Sequence, residues 1–102
     1  NSPSVNNIWK GAEVDAETKA LITRAEQGFA GAQNNLGVRY DFGRGVPPNM
    51  ATAYAWYNVA AAKGSKGASK NRDSIAKLMT PEQVAEAQAL SAKWFELYQP
   101  KE

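Results

Sequence analysis

Over residues 31–64 the small, aromatic and glycine residues fall at fixed intervals, and part of that interval pattern returns further along the chain. Ala32, Leu36 and Tyr40 share one helical face with Gly37 beside them, Gly43, Gly45, Val46, Pro47 and Pro48 interrupt it, and Ala53, Trp56, Ala60 and Ala61 begin a second helical face that stops at Gly64. The run Ala25-Glu26-Gln27-Gly28-Phe29-Ala30-Gly31-Ala32 superposes on Ala61-Ala62-Lys63-Gly64-Ser65-Lys66-Gly67-Ala68 at an offset of 36 residues, and Asn35 and Asn71 keep that offset. Two helices per unit at this period point to an all-α solenoid, in which a unit cannot bury its apolar face alone and stacks on its neighbours.

The punctuation divides the chain into about five helices. Residues 1–14 read as a lead-in segment lying on the first helix, with Ile8 and Trp9 as its anchors. Asp15 is an N-cap for a first helix over 16–27, whose apolar stripe is Leu21, Ile22, Ala25 and Phe29 and whose exit is Gly28. A second helix spans 30–42. Asn49 caps a third, which carries Lys63 at its negative end and stops at Gly64. A fourth covers 67–78, anchored by Ala68, Ile75 and Met79. Thr80-Pro81-Glu82-Gln83 starts a fifth with a cap, a proline at the first position and a capping-box partner, and this helix runs to about Tyr98, burying Val84, Ala87, Trp94 and Leu97 before Pro100 closes it. One domain over 15–102 follows, made of a half-unit at 15–28, a full repeat at 29–64 and an atypical capping unit at 65–99.

Composition removes several function classes. With no Cys and no His among 102 residues, thiol nucleophiles, imidazole bases, ordinary zinc sites and disulfides are absent. The ten carboxylates are scattered and no motif pairs them, so we expect no enzyme and no cofactor. Gly43-Arg44-Gly45 lacks both the spacing and the preceding strand of a phosphate loop and reads as a turn. Net charge is +2 with the basic residues spread from Lys10 to Lys101, which gives no pull toward nucleic acid. No apolar run reaches the roughly 20 residues that span a bilayer, so no membrane insertion is expected. Because the chain starts at Asn1 rather than Met, upstream sequence such as an export signal is expected to have been removed.

From Ala32 through Leu36-Gly37, Tyr40, Gly43, Gly45-Val46, Ala53, Trp56, Ala60-Ala61 and Gly64 to Ala68, the chain resembles the Sel1-like repeat family, with Asn49 where a capping Asp is usual. The preceding half-unit matches through Ala25, Gly28 and Ala32, with Ala20 where the Trp would stand. In the following unit Arg72-Asp73 replaces Leu-Gly, Ala76 replaces Tyr, and Leu78-Met79-Thr80-Pro81 replaces the glycine loop, as in an end-capping unit. The resemblance implies a right-handed, tetratricopeptide-like superhelix used for protein–protein contact, common in bacterial proteins that are periplasmic or exported. It implies no catalytic residues.

Asn35, Val38, Arg39 and Phe42 form a second stripe on helix two, distinct from Leu36 and Tyr40, and in a solenoid this is the concave face. Adding 36 moves the stripe to Asn71, Ser74, Ile75 and Leu78, so Asn35 and Asn71 are expected side by side on a groove floor. Their amides match an extended peptide backbone, and Arg39 can take a carboxylate bidentately. The competing reading has both Asn bonding neighbouring loops and tying repeats together. Trp56 and Trp94 belong to the core, whereas Tyr57, Phe95 and Tyr98 are candidates for an exposed aromatic surface. Lys63, Lys66, Lys70, Arg72 and Lys77 read as a solvated face. The expectation is a monomeric interaction module that presents its groove to a protein or peptide, with a terminal cap of a longer solenoid as the alternative and a cell-wall or polysaccharide-acting accessory or hydrolase behind both.

Overall fold

A computed structural model describes residues 14–99, which fold into five α-helices: α1 (Ala16–Glu26), α2 (Ala30–Phe42), α3 (Met50–Ala62), α4 (Lys66–Ala76) and α5 (Pro81–Leu97). The expected places of Ile8, Trp9 and Pro100 lie outside the described residues. Local chemistry sets most helix ends. The Asp15, Asn49, Ser65 and Thr80 side chains accept from the third residue beyond them, and Gln83 completes the capping box at Thr80. α1 and α3 end 36 residues apart, α2 and α4 start 36 residues apart, and between each pair sits a left-handed glycine, Gly28 at φ 96° and Gly64 at φ 99°. The interval read from the residues is thus a repeat of backbone geometry.

The period breaks after α4. Seven residues separate α2 from α3 and four separate α4 from α5, and α5 lays its Ala87, Ser91, Trp94 and Tyr98 face on α3 rather than pairing with α4 as α3 pairs with α2. α3 is therefore packed by α2, α4 and α5 together. Its Ala53, Ala55, Trp56, Tyr57 and Ala60 are fully buried. Trp56 stacks on Trp94 at 4.5 Å between ring centroids and on Tyr98 at 5.7 Å, in the range where aromatic pairs add to simple burial.

Side-chain phase departs from expectation at five residues. Phe29 is 55% exposed because it is the extended N-cap residue of α2, outside the α1 stripe. Leu97 is 42% exposed, and Tyr98, at the helix C-cap, turns inward in its place. Tyr57 and Tyr98 are both buried and Phe95 is partly buried, so the three do not form an exposed aromatic surface. Tyr57 lies along α2 with its hydroxyl donating to Asp41 Oδ2 at 2.9 Å, and burial raises its pKa, with the Asp41 bond acting in the same direction.

Gly37 is small because Tyr57 passes over it: a Cβ there would sit 2.5 Å from the Tyr57 ring. Gly37→Val should cost about 1–3 kcal/mol through overpacking, although the same change in an exposed helix would stabilise. Urea unfolding of the pair checks this. Lys63 ties three helix ends, since its Nζ, at the C-cap of α3, donates to Gly28 O at 3.1 Å and Tyr98 O at 2.7 Å, beyond the ends of α1 and α5. Lys63→Met keeps the stem and loses the charge-assisted bonds. It should lower stability by about 1.5–3 kcal/mol in the same assay.

Candidate functional site

α1 meets α2 through Thr18, Ile22 and Ala25, the buried side of an otherwise open helix. The next face of α1, with Glu17, Ala20, Leu21 and Arg24, stands across from Asn35, Val38, Arg39 and Arg44, and between them runs a groove of about 560 Å³. A recess of about 380 Å³ shares Leu21, Arg24 and Asn35 and continues to Phe29, Ala30 and Gly31. Leu21 and Val38 are half-buried apolar floor, while Asn35, Arg24 and Arg44 are exposed. Neither Arg24 nor Arg44 forms an ion pair among the described residues; the Arg44 guanidinium lies 5.6 Å from the centre of the Phe42 ring.

Arg39 is not a free fork. Its Nη1 donates to Thr18 Oγ1 at 3.1 Å, its Nη2 to Glu17 Oε2 at 3.2 Å, and Asp15 Oδ2 lies 3.8 Å away. The cause is the loop between α2 and α3, which returns to the start of α1. Gly45 O accepts from Asp15 N at 2.9 Å, and a Cβ on Gly45, which has φ 74°, would run into the Asp15 carboxylate. The loop glycine thus brings the acidic end of α1 under Arg39. Thr18, through its side-chain and backbone bonds, holds the Asp15 carboxyl below its usual pKa of 3.8, with Arg39 contributing by charge. A lowered pKa gives stability that is present above pH 3.8 and lost as pH falls through the folded-state value. Asp15→Asn should therefore melt below the parent at pH 7, and the gap between the two melting temperatures should close as the pH drops below 3.8.

The expected pairing of Asn35 with Asn71 does not occur. Asn71 Nδ2 donates to Asn34 Oδ1 at 3.2 Å across the α2–α4 seam, so the Asn that faces Asn71 is the neighbour of the one the offset selects. Residues one period apart occupy equivalent places in successive units, and equivalent places do not face each other. Asn35, Val38 and Arg39 are brought together in the α1–α2 groove. Phe42 is 65% exposed at the end of α2, close to Arg44 and outside the groove lining, and Asn71 is on the other side of α2. The groove's second wall, Glu17, Ala20, Leu21 and Arg24, was missed because the stripe on α2 was read alone. The basic stretch after Gly64 also divides, since Lys63 caps helix ends and Arg72 bonds Asn58 Oδ1 at 2.9 Å and Asp73 Oδ1 at 3.1 Å, while Lys66, Lys70 and Lys77 are exposed.

The Sel1 repeat family model matches residues 30–65, which covers α2, the glycine loop and α3. The fold is similar to that of a protective antigen present in uropathogenic Escherichia coli strains, whose crystal structure displays an SLR fold: the TM-score is 0.77 and 32% of residues are identical over 79% of this chain. This is a Sel1-like repeat protein. The chain spans 18% of the length of that antigen. No curated protein is a significant match. Sel1 repeats are generally protein-interaction modules built on a scaffold that is generally not enzymatic. Gly37 under Tyr57 and Gly45 against Asp15 both lie within the matched residues and are positions of close packing.

Proposed function

We propose that this Sel1-like repeat protein binds a peptide or protein segment in the groove between α1 and α2. The observation that carries the reading is the combination on one concave strip of an apolar floor, Leu21 and Val38, an exposed amide, Asn35, and two cations with no ion pair among the described residues, Arg24 and Arg44. Such a strip offers apolar contact, a register-fixing amide and charge-assisted bonds to a carboxylate. Arg39 orients the wall through Glu17 and Thr18 and shares its charge with them. Phe42 extends the surface beyond Arg44. Asn71 has the tying role, because its amide is engaged with Asn34 between successive units.

Asn35→Ala, Val38→Asp and Asn71→Ala separate these roles. Each variant is melted, and its affinity is measured for a partner captured from native extract, identified and purified. Asn35→Ala should leave the melting temperature close to that of the parent, Val38→Asp should lower it because Val38 packs against the core, and both should weaken binding by about tenfold or more at a temperature where each variant stays folded, equivalent to about 1.4 kcal/mol. Asn71→Ala should lower the melting temperature and leave affinity unchanged. Full affinity in both groove variants would move the site elsewhere on the molecule and favour a terminal-cap role for this groove.

A further inference from the structure

The 36-residue period allows the groove to be compared with its own counterpart one unit later. Leu21, Ala20 and Arg24 correspond to Tyr57, Trp56 and Ala60, and Glu17 to Ala53. All four counterparts on α3 are fully buried, whereas Leu21 is half-buried and Glu17, Ala20 and Arg24 are exposed. α5 covers Trp56 through Trp94 and Tyr98, and what covers Tyr57 is α2, through the Gly37 backbone beneath its ring and the Asp41 carboxylate at its hydroxyl. The other wall gives the same answer. Gly31 corresponds to Gly67, and a Cβ on Gly67 would meet the Asn34 amide of α2 at 3.8 Å, whereas a Cβ on Gly31 would meet nothing within 4 Å. Asn71 bonds Asn34; its counterpart Asn35 is exposed in the groove. The α1–α2 groove therefore stands one unit before the place where α2 lies on Tyr57 of α3 and bonds Asn71 of α4.

From this we infer that the groove receives an α-helix of a partner protein, acidic on its contacting side, in the pose that α2 takes on α3 and α4. The inference rests on the reading of the groove as a docking surface and specifies its ligand. Shape selects the helix, because the positions equivalent to Leu21 and Asn35, namely Tyr57 and Asn71, meet α2 one unit later. Charge selects the acidic side: where the filled seat has Ala60 the open one has Arg24, Arg44 stands at its edge, and the groove's own Glu17 is already engaged by Arg39. Carboxylates on the incoming helix would meet Arg24 and Arg44 with charge-assisted bonds.

The probe is a synthetic peptide of residues 30–42, held helical by a hydrocarbon staple on the face away from Gly37, with Asn34→Glu to set a carboxylate beside Asn35 and Arg24. Its counterparts are the same peptide with Asn34→Lys and an unstapled version with Gly37→Pro, which cannot form the helix. Fluorescence anisotropy with the full chain should show that the stapled Glu peptide binds, that the Lys peptide binds at least tenfold more weakly and that the proline peptide does not bind. Gly31→Trp, which fills the open recess without touching the packed side of α2, should weaken the Glu peptide at least tenfold while the melting temperature holds or rises. Arg24→Glu should reverse the preference between Glu and Lys peptides. Equal binding of the proline peptide, with the same sensitivity to Gly31→Trp, would overturn the helical ligand and leave the groove as a docking surface. Failure of all peptides would overturn the helix inference, and the capture affinities of Asn35→Ala and Val38→Asp would then judge the groove separately. Two further results would also overturn it: a tenfold gain in Glu-peptide affinity on deleting residues 1–13, which would assign the seat to the chain's own leading segment, or self-association of the parent abolished by Gly31→Trp, which would assign it to a second copy.

Discussion

The packing of Trp56 and Tyr57 on two neighbouring flanks of α3 is the constraint on which the other helices depend. Both rings are fully buried, and they divide the surroundings of α3 between α2, over which Tyr57 lies, and α5, against which Trp56 stacks. Close approach of two helices to a third is possible only because the intervening positions are Ala53, Ala55 and Ala60, which bring the backbones together without voids. α4 closes the remaining side through Ala68 and Ile75. A helix buried over most of its surface, as α3 is from Thr52 to Ala60 with Asn58 half-buried, has little amphipathic face, and its sequence, rich in Ala with aromatic insertions, is what that environment demands.

α1 has the same place in the period and a different fate. Its counterparts of Trp56 and Tyr57 are Ala20 and Leu21, and among the described residues α2 covers it on one side. Loss of the large rings leaves too little apolar surface to hold a further helix tightly, and the substitution of Arg24 for Ala60 makes the open face polar enough to stand in water. The result is a groove with a modest apolar floor and a cationic edge. A surface of that kind suits reversible contact with a charged partner, in which the rim charges steer association and the floor limits dissociation. The groove thus arises from the same repeat that builds the core, at the point where its covering helix is missing among the described residues.

The fold was legible because the signals that set it are local. Asn49, Thr80 with Gln83, Gly28 and Gly64 each fix a helix end through bonds or backbone conformation within a few residues, and the period of 36 carries the arrangement from one unit to the next. Phase near helix ends was less legible: whether Leu97 or Tyr98 turns inward depends on the angle at which α5 meets Trp56, a tertiary quantity. The site was half legible. Helical spacing puts Asn35, Val38 and Arg39 on one stripe, and all three line the groove, but Arg39 is committed to Glu17 and Thr18 by a loop that brings α1 beneath it, and no spacing within α2 contains that contact. The Asn34–Asn71 bond was misplaced by one residue because a period identifies equivalent positions, whereas a hydrogen bond joins facing ones.

Native-state hydrogen exchange across α3 and α1 tests this account most directly, since a helix enclosed on every side can open only when its neighbours leave, while one covered on a single side can open alone. The amides of residues 54–60 should exchange only through global unfolding, with a denaturant dependence equal to that of the whole molecule. Those of residues 20–26 should exchange through a smaller opening at lower free energy and with weaker denaturant dependence. Equal protection of both helices, or sub-global opening of α3, would contradict the claim that α3 is the enclosed axis and α1 the half-covered wall of a groove.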